Sequence, residues 1–211
     1  MDRKLFTRQW QKRLIVTLFF VLFAATCMGG CVSSQEISSG EDTVRAMSTD
    51  SVDTGILTQP GYDWLVVPMT NVITGETFTF EEYIKTGSPV VIHTFAIWCP
   101  ACTLQLQEST AFLAEYPEKA HIIGIDIEEA ESMQSIARHV ERYAFAGTFA
   151  AAPKEVSQGL LNTFGSSIML EMPQTIIIVG GDIFYLGRGV RTVKGLSAVI
   201  DEIYETLALI G

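Results

Sequence analysis

Two cysteines, separated by two residues, directly follow a strongly apolar stretch of the chain. The segment is "VVIHTFAIWCPACTLQLQE", residues 90 to 108, in which Pro100 and Ala101 lie between Cys99 and Cys102. Its first part is rich in Val, Ile and Phe, which is typical of a buried strand, and its second part has helical composition. The sequence therefore predicts a strand that passes into a helix at the cysteines.

The start of a helix favours redox chemistry at such a pair. Unpaired backbone N–H groups and the positive end of the helix dipole stabilise an anion there, so we expect Cys99 to be the more acidic thiol. Cys102, one turn later, is expected to be less exposed but within reach of its partner. Pro100 suits the first helical turn. This predicts that Cys99 attacks a disulfide and Cys102 resolves the mixed disulfide.

The N-terminus has the composition of a targeting segment. Residues 1–31 contain five basic residues and one acidic residue, and Leu14 to Met28 is a run of 15 largely apolar residues. As a helix this run spans about 22 Å, less than a bilayer core of roughly 30 Å. Gly29 and Gly30 precede Cys31 as small residues precede the lipidated cysteine of a lipoprotein signal. An uncleaved anchor helix is the alternative, and both interpretations put the remaining chain outside the cytoplasm.

These patterns predict three parts. Residues 1–30 are a lipoprotein signal peptide, and residues 31–60 are the lipidated Cys31 followed by a flexible tether rich in Ser, Thr, Asp, Glu and Gly. Residues 61–211 form one folded domain, a size that suits a single core. After the signal, 9 basic residues face 23 acidic ones. Such an acidic body would repel phosphate backbones, so we expect no nucleic-acid binding.

A metal site is not expected. Cys27 leaves with the signal and Cys31 carries lipid, so the folded domain keeps only Cys99 and Cys102 as thiols. The usual structural zinc site needs four ligands, and the chain offers only three histidines besides: His93, His121 and His139. No cofactor is implied either.

The order of the remaining patterns predicts an α/β domain. "WLVVPM" indicates a short strand, "ETFTFEEYI" an alternating segment followed by a helical turn, and "HIIGIDI" a second buried strand after the cysteine helix. Residues 128–144 form an amphipathic helical pattern with Met133, Ile136 and Val140 on one stripe. Alternation of strand and helix implies parallel pairing of the central strands. Further along are a short strand "GTFAAA", a helix from Pro153 to Gly165, a hairpin around Gly180 and Gly181, and a helix over residues 192–209.

Pro173 directly precedes an apolar strand in "EMPQTIIIV", where a proline would interrupt ladder pairing. A cis peptide bond between Met172 and Pro173 would explain its position, because X-Pro bonds tolerate the cis form. A trans proline in an edge loop is the alternative that the composition leaves open.

"WCPAC" after a buried strand, "MPQT" and the hairpin "TIIIVGGDIFYLGRGV" together resemble the thioredoxin-like superfamily, in particular the membrane-tethered TlpA/ResA/DsbE-like thiol-disulfide oxidoreductases. The resemblance covers about residues 62 to 209. It implies a central mixed β-sheet flanked by helices, with a TlpA-like strand-helix insertion before Pro173. It also implies that Cys99 attacks, Cys102 resolves and Pro173 is a cis proline beside a substrate groove. Trp98, Pro100 and the Met172 backbone would border this groove.

One position departs from the superfamily pattern. His93 stands six residues before Cys99, where a buried carboxylate or amide is usual. A neutral imidazole can accept or relay the proton of Cys102, or it can be a satisfied core histidine with no chemical role. Alternation along the strand turns His93 inward and leaves both alternatives open.

The resulting expectation is an extracytoplasmic, membrane-anchored thiol-disulfide oxidoreductase that reduces or isomerises disulfides of exported proteins. By resemblance, its substrates include oxidised apocytochrome c, and a DsbD/CcdA-type membrane protein supplies electrons. Three alternatives are weaker. A peroxiredoxin-like peroxidase usually has threonine where Ala96 stands, a Sco-type copper chaperone has three residues between its cysteines, and a binding module without turnover has no need of an intact cysteine pair.

Overall fold

The computed structural model describes residues 61–210. The predicted signal peptide, the lipidation of Cys31 and the tether up to residue 60 lie outside the described residues. Within residues 61–210, none of the helices combines the length and the apolar character needed to cross a bilayer.

The described chain alternates strands and helices. A 3₁₀ turn, Asp63–Val66, precedes a small antiparallel pair of strands. The strands are β1 (Met69–Thr70), β2 (Thr77–Phe78), β3 (Val90–Phe95), β4 (His121–Asp126), β5 (Thr148–Ala151), β6 (Gln174–Val179) and β7 (Asp182–Arg188). The helices are α1 (Phe80–Ile84), α2 (Pro100–Glu115), α3 (Met133–Tyr143), α4 (Lys154–Phe164), α5 (Ser167–Leu170) and α6 (Val193–Ile210).

Five strands form one mixed sheet in the order β5-β4-β3-β6-β7. The pairs β3–β4 and β4–β5 are parallel, whereas β3–β6 and β6–β7 are antiparallel. This confirms the predicted mixed sheet and thioredoxin-like fold class. Between β4 and β6 the chain inserts β5 and α4, the strand and helix that the resemblance implied.

Helices cover both faces of the sheet, and all six residues of β3 and of β6 are buried. One face packs against α1, α4 and α5 through residues such as Phe80, Leu160 and Ile168. The other packs against α2, α3 and α6 through Phe112, Ile136 and Ile200. Because both faces are buried, β3 and β6 are continuous apolar runs rather than alternating ones.

One local prediction is wrong over most of its length, and one short helix was not predicted. "WLVVPM" is not a strand at its start: Trp64 and Leu65 lie in the 3₁₀ turn, and the Leu65 N–H donates to the Tyr62 carbonyl at 3.0 Å. Both side chains are buried, and consecutive residues of a strand would point to opposite faces. The short helix α5 had no recognisable pattern in the sequence.

The helix predicted over residues 128–144 begins later, at Met133. Ser132 caps it, its hydroxyl accepting the N–H of Ser135 at 3.2 Å. Ile136 and Val140 are buried as predicted, but Met133 is exposed because it is the first residue of the helix. The residues before Ser132 form a turn instead.

The hairpin between β6 and β7 is confirmed. Its two-residue turn is Gly180-Gly181, with φ of 59° and 99°, a left-handed conformation that glycine adopts without strain. The helix from Lys154 to Phe164 is also confirmed, with Pro153 and Gly165 as its caps.

Candidate active site

Three chain segments meet at one edge of the sheet. β4 is parallel to β3 and places Asp126 opposite Phe95, the last residue of β3. β6 is antiparallel to β3 and pairs Gln174 with Thr94, so its first residues lie beside the same strand end. The cysteine segment therefore leaves the sheet between the end of β4 and the proline before β6.

The cysteine pair begins α2. Cys99 is the N-cap, Pro100 is the first helical residue, and the Cys102 N–H donates to the Cys99 Sγ at 3.2 Å. The two cysteines form a disulfide, with their Cα atoms 5.2 Å apart. Cys99 is 6% exposed and Cys102 is 0% exposed, so Cys99 is the more accessible residue of the pair.

The side of the cysteine pair that faces the protein core is lined by apolar residues. Cys99 and Cys102 belong to a buried cluster with Phe95, Leu106 and Phe149, and the partly buried Met172 packs against this cluster. By contrast, the Trp98 side chain is 62% exposed. The site therefore has a dry floor and an exposed aromatic ring at its rim.

The peptide bond between Met172 and Pro173 is cis. The Pro173 carbonyl accepts the Gly189 N–H at 3.1 Å. Among the described residues, no backbone group bonds to the backbone of Met172. The peptide at Met172 is thus open to a further strand, next to the cysteine pair.

Gln174 anchors this proline loop and had no signal in the sequence beyond its place after Pro173. Its side-chain amide is buried and donates to the carbonyls of Ser167 and Glu171. Its Oε1 accepts the hydroxyl hydrogen of Tyr185 at 2.9 Å. The loop is thereby tied to α5 and to the hairpin.

His93 is fully buried and does not bond to either cysteine. Its Nδ1 lies 3.2 Å from the Thr175 hydroxyl oxygen and its Nε2 lies 2.9 Å from that of Ser109. Burial lowers the pKa of His93 to about 4; a hydrogen bond with the Gln174 backbone, which accepts from the ring, raises it, and the charge of Arg191 lowers it. The imidazole is therefore neutral near pH 7, and its contacts are those of a satisfied core histidine.

An acidic group beside the site was not singled out from the sequence, although "DIEEAE" follows the β4 strand. Glu131 accepts the Ile97 N–H at 2.8 Å through its Oε2, and Glu128 accepts the indole Nε1–H of Trp98 at 3.2 Å. Burial, together with Glu131, raises the pKa of Asp126 to about 8. Carboxyl groups therefore support the two residues that precede Cys99.

The predicted site residues divide into two groups. Cys99, Cys102, Pro100, Trp98, Met172 and Pro173 share the edge described above, whereas His93 lies deeper, between β6 and α2. Within residues 61–210, no group of three or more His, Cys, Asp or Glu side chains is arranged to hold a metal ion.

The AhpC/TSA family model matches residues 67–183, which is more than half of the chain. No curated protein sequence matches the chain.

Solved structures share the fold at low sequence identity. A secreted Mycobacterium tuberculosis disulfide oxidoreductase homologous to E. coli DsbE is 15% identical with a TM-score of 0.53, covering 66% of this chain and 98% of its own. DsbF of the same organism is 20% identical with a TM-score of 0.54, covering 69% and 98%. An exposed lipoprotein thioredoxin of Streptococcus pneumoniae is 18% identical with a TM-score of 0.50, covering 64% and 98%.

These similarities agree with the sheet order and with the disulfide at the start of α2. The chain belongs to the AhpC/TSA family and has a thioredoxin-like fold with a disulfide-forming cysteine pair.

Proposed function

We propose that the protein is an extracytoplasmic thiol-disulfide oxidoreductase that reduces or isomerises disulfides in exported proteins. The observation that carries the proposal is the disulfide between Cys99 and Cys102 at the N-terminus of α2, with Cys99 the more accessible of the two. A disulfide between cysteines only two residues apart stabilises the fold very little, because it constrains a very short loop. Such a pair is therefore better suited to thiol-disulfide exchange than to structural cross-linking.

The reaction begins from the reduced pair. The Cys99 thiolate attacks one sulfur of a substrate disulfide, the substrate S–S bond breaks, and the departing sulfur leaves as a thiolate that takes up a proton. Cys102 then loses its proton and attacks the Cys99 Sγ. The second substrate sulfur leaves, so two electrons pass to the substrate and the Cys99–Cys102 disulfide forms.

The start of α2 supports the attacking role of Cys99. The Cys102 N–H points at the Cys99 sulfur, and the helix dipole adds a positive field at the same place. Cys102 is buried among apolar side chains, which disfavours its thiolate until the mixed disulfide has formed. This asymmetry supports sequential attack and resolution.

The rim of the site supports an extended polypeptide as substrate. The open peptide at Met172, held beside the cysteines by the cis Pro173, can pair with one strand of a client. The exposed Trp98 ring and Pro100 offer apolar surface next to it. We assign these four residues to client binding.

The residues between the cysteines support the proposed direction of electron flow. Pro100 and Ala101 bring no charge or histidine to stabilise a strongly acidic thiolate. Reductants with this turn have potentials near −270 mV and oxidants near −120 mV, a difference of roughly 7 kcal/mol for two electrons. A neutral pair favours the reductant or isomerase, with a DsbD/CcdA-type membrane donor and clients such as oxidised apocytochrome c.

The location proposed for the domain depends on the N-terminal sequence. Lipidation of Cys31 and a tether up to residue 60 would hold the domain at the outer side of the membrane. The neighbouring structures include a secreted protein and an exposed lipoprotein, which supports the same side of the membrane for this chain.

Insulin-disulfide reduction tests the proposal. Cys99→Ser removes the nucleophile and should abolish reduction, whereas Cys102→Ser should stall at mixed disulfides that are visible on non-reducing gels. Ala101→Ser is the matched control, because it adds the same side chain at an exposed position between the two cysteines. Normal reduction by both site variants would reject the assignment.

The same variants separate the alternatives. A peroxidase would consume hydrogen peroxide in a Cys99-dependent reaction at rates well above insulin reduction. A binding module would hold clients equally well with both cysteines replaced by serine. Either result would replace the proposed function.

A further inference from the structure

Two carboxylates hold the segment that leads into the cysteine pair. Glu131 and Glu128 accept from Ile97 and Trp98, the two residues directly before Cys99. Both acceptors come from the turn after β4, not from the cysteine segment itself. The position of the redox turn therefore depends on the charge state of this second segment.

Asp126 lies beneath that turn and is 2% exposed. Its Oδ1 accepts the Glu128 N–H at 2.9 Å, while its Oδ2 is buried and meets no donor among the described residues. Burial is the largest cause of the raised pKa of Asp126, and a side-chain hydrogen bond with Glu131 raises it further. Ionised carboxylates only accept, so two of them form a hydrogen bond only when one carries a proton.

The buried member of the pair is the one that holds the proton. Burial raises the pKa of Asp126 to about 8, and the hydrogen bond with Glu131 acts in the same direction. Glu131 is only half-buried and already accepts the Ile97 N–H, which is the contact of a carboxylate. The proton thus links Asp126 to the backbone before Cys99 through Glu131.

The other groups around Asp126 do not offer a positive charge that would stabilise its ionised form. Glu128 adds a further negative charge, and the neighbours in β3 and β5 are the uncharged Phe95 and Ala151. His139 lies close enough to Glu131 to interact with it, and Arg142 lies further along α3. Within the part of the chain that the structure describes, none of these three carboxylates forms an ion pair.

We propose that Asp126 and Glu131 are positioning residues for the redox turn, sharing one proton that keeps the Glu131 carboxylate on the Ile97 N–H and limits the negative charge beside Cys99. The inference rests on the proposed function, because it concerns the reactivity of the same cysteine. Loss of the proton makes the two carboxylates repel each other and frees the Ile97 N–H. The redox turn then loses a contact that positions it, and the reactivity of Cys99 no longer follows the ionisation of its own thiol alone.

The oxidised protein isolates the carboxyl pair, because disulfide sulfurs do not titrate. In the full chain with its Cys99–Cys102 disulfide, we expect the amide NMR signal of Ile97 to shift with a midpoint near pH 8, following Asp126. Asp126→Asn should abolish this titration, since the amide is uncharged and nearly the same size. Asp182→Asn, at an exposed position in β7, should leave it unchanged. An Ile97 signal without a transition near pH 8, or one retained in Asp126→Asn, would overturn the proposal.

The reduced protein tests the consequence for reactivity. The rate of Cys99 alkylation by iodoacetamide, resolved by mass spectrometry, should show a second transition with this midpoint in the wild-type chain and reach a simple plateau in Asp126→Asn. Glu131→Gln, which keeps an acceptor for the Ile97 N–H, should also give a plateau. Equal profiles for all three proteins would overturn the positioning role. Failure of insulin reduction with the Ile97 titration present would instead reject only the proposed function.

Discussion

The backbone N–H of Cys102 donates to the Sγ of Cys99 across 3.2 Å, one helical turn away. The contact exists because Cys99 is the N-cap of α2, the position whose side chain accepts from the first free amides of a helix. A sulfur in this position is stabilised as a thiolate when the disulfide is reduced. The donor belongs to the backbone, so it survives replacement of the Cys102 side chain.

The first prediction concerns the relative reactivity of the two thiols. In the reduced protein near pH 7, iodoacetamide should modify Cys99 at least about tenfold faster than Cys102, because Cys99 has the amide contact and is the less buried of the two. Mass spectrometry of the alkylated peptides measures both rates. Cys102→Ser should leave the Cys99 rate nearly unchanged, and preferential modification of Cys102 would contradict the assignment of roles.

The second prediction concerns the reduction potential of the pair. With neutral Pro100 and Ala101 between the cysteines, we expect a value close to that of thioredoxin, about −270 mV. Equilibration of the full chain against dithiothreitol or glutathione, followed by Trp98 fluorescence, measures it. Cys27→Ser and Cys31→Ser together remove the other thiols as a control. A value near −120 mV would make the protein an oxidant of exported proteins.

The third prediction concerns the pH dependence of stability. The pKa of His93 is about 4 in the folded protein, below its ordinary value of 6.5, so the unfolded chain binds more protons between these values. The contribution of His93 to the free energy of unfolding should therefore decrease by roughly 3 kcal/mol as the pH falls from about 6.5 to about 4, while the raised pKa of Asp126 contributes with the opposite sign, so the wild-type chain is compared with His93→Ala at each pH. Urea titrations at several pH values measure the change.

His93→Ala should remove this pH dependence and lower stability by about 2–4 kcal/mol at neutral pH, because a cavity forms and two hydroxyls lose their partner. His121→Ala, at the partly exposed start of β4, is the control. The same variant tests the proton-relay hypothesis. Slower resolution than attack in single-turnover measurements would support a relay, whereas unchanged rates of both steps would exclude it.

The fourth prediction concerns a close approach between α4 and the 3₁₀ turn. A methyl group on Gly159 would overlap the indole of Trp64, with the Cγ only 2.6 Å away. Gly159→Ala should therefore destabilise the protein by about 1–3 kcal/mol, although alanine favours helices. In α6, Gly195→Ala meets only the Thr192 hydroxyl at 3.2 Å and should be neutral or slightly stabilising. Thermal unfolding of both variants and of the wild-type chain measures these effects. A Gly159→Ala variant as stable as the wild type would contradict the predicted overlap.

Local sequence determined the parts of the protein that depend on neighbouring residues. The apolar run before Cys99, the N1 proline and the helical segment after Cys102 place the pair at a strand-to-helix junction. The Gly180-Gly181 turn likewise specifies its hairpin, because these positions require positive φ. The position of Pro173 before β6 suggested a cis bond but left the trans alternative open.

Tertiary structure alone decided which distant residues surround the pair. Asp126 and Glu131 are more than 25 residues from Cys99 in the chain, and only the parallel pairing of β3 with β4 brings them beneath Ile97. No local pattern distinguishes these carboxylates from the solvated acids elsewhere in the chain.

The surroundings of His93 and Trp64 were also decided by the tertiary structure. A histidine in an apolar strand is compatible with a relay or with the core, and its partners Thr175 and Ser109 come from β6 and α2. Trp64 turns into a 3₁₀ segment because Gly159 leaves room for its ring. The sequence by itself determined the redox turn and its scaffold, whereas the charge and hydrogen bonding around that turn depend on contacts that form only when the sheet is assembled.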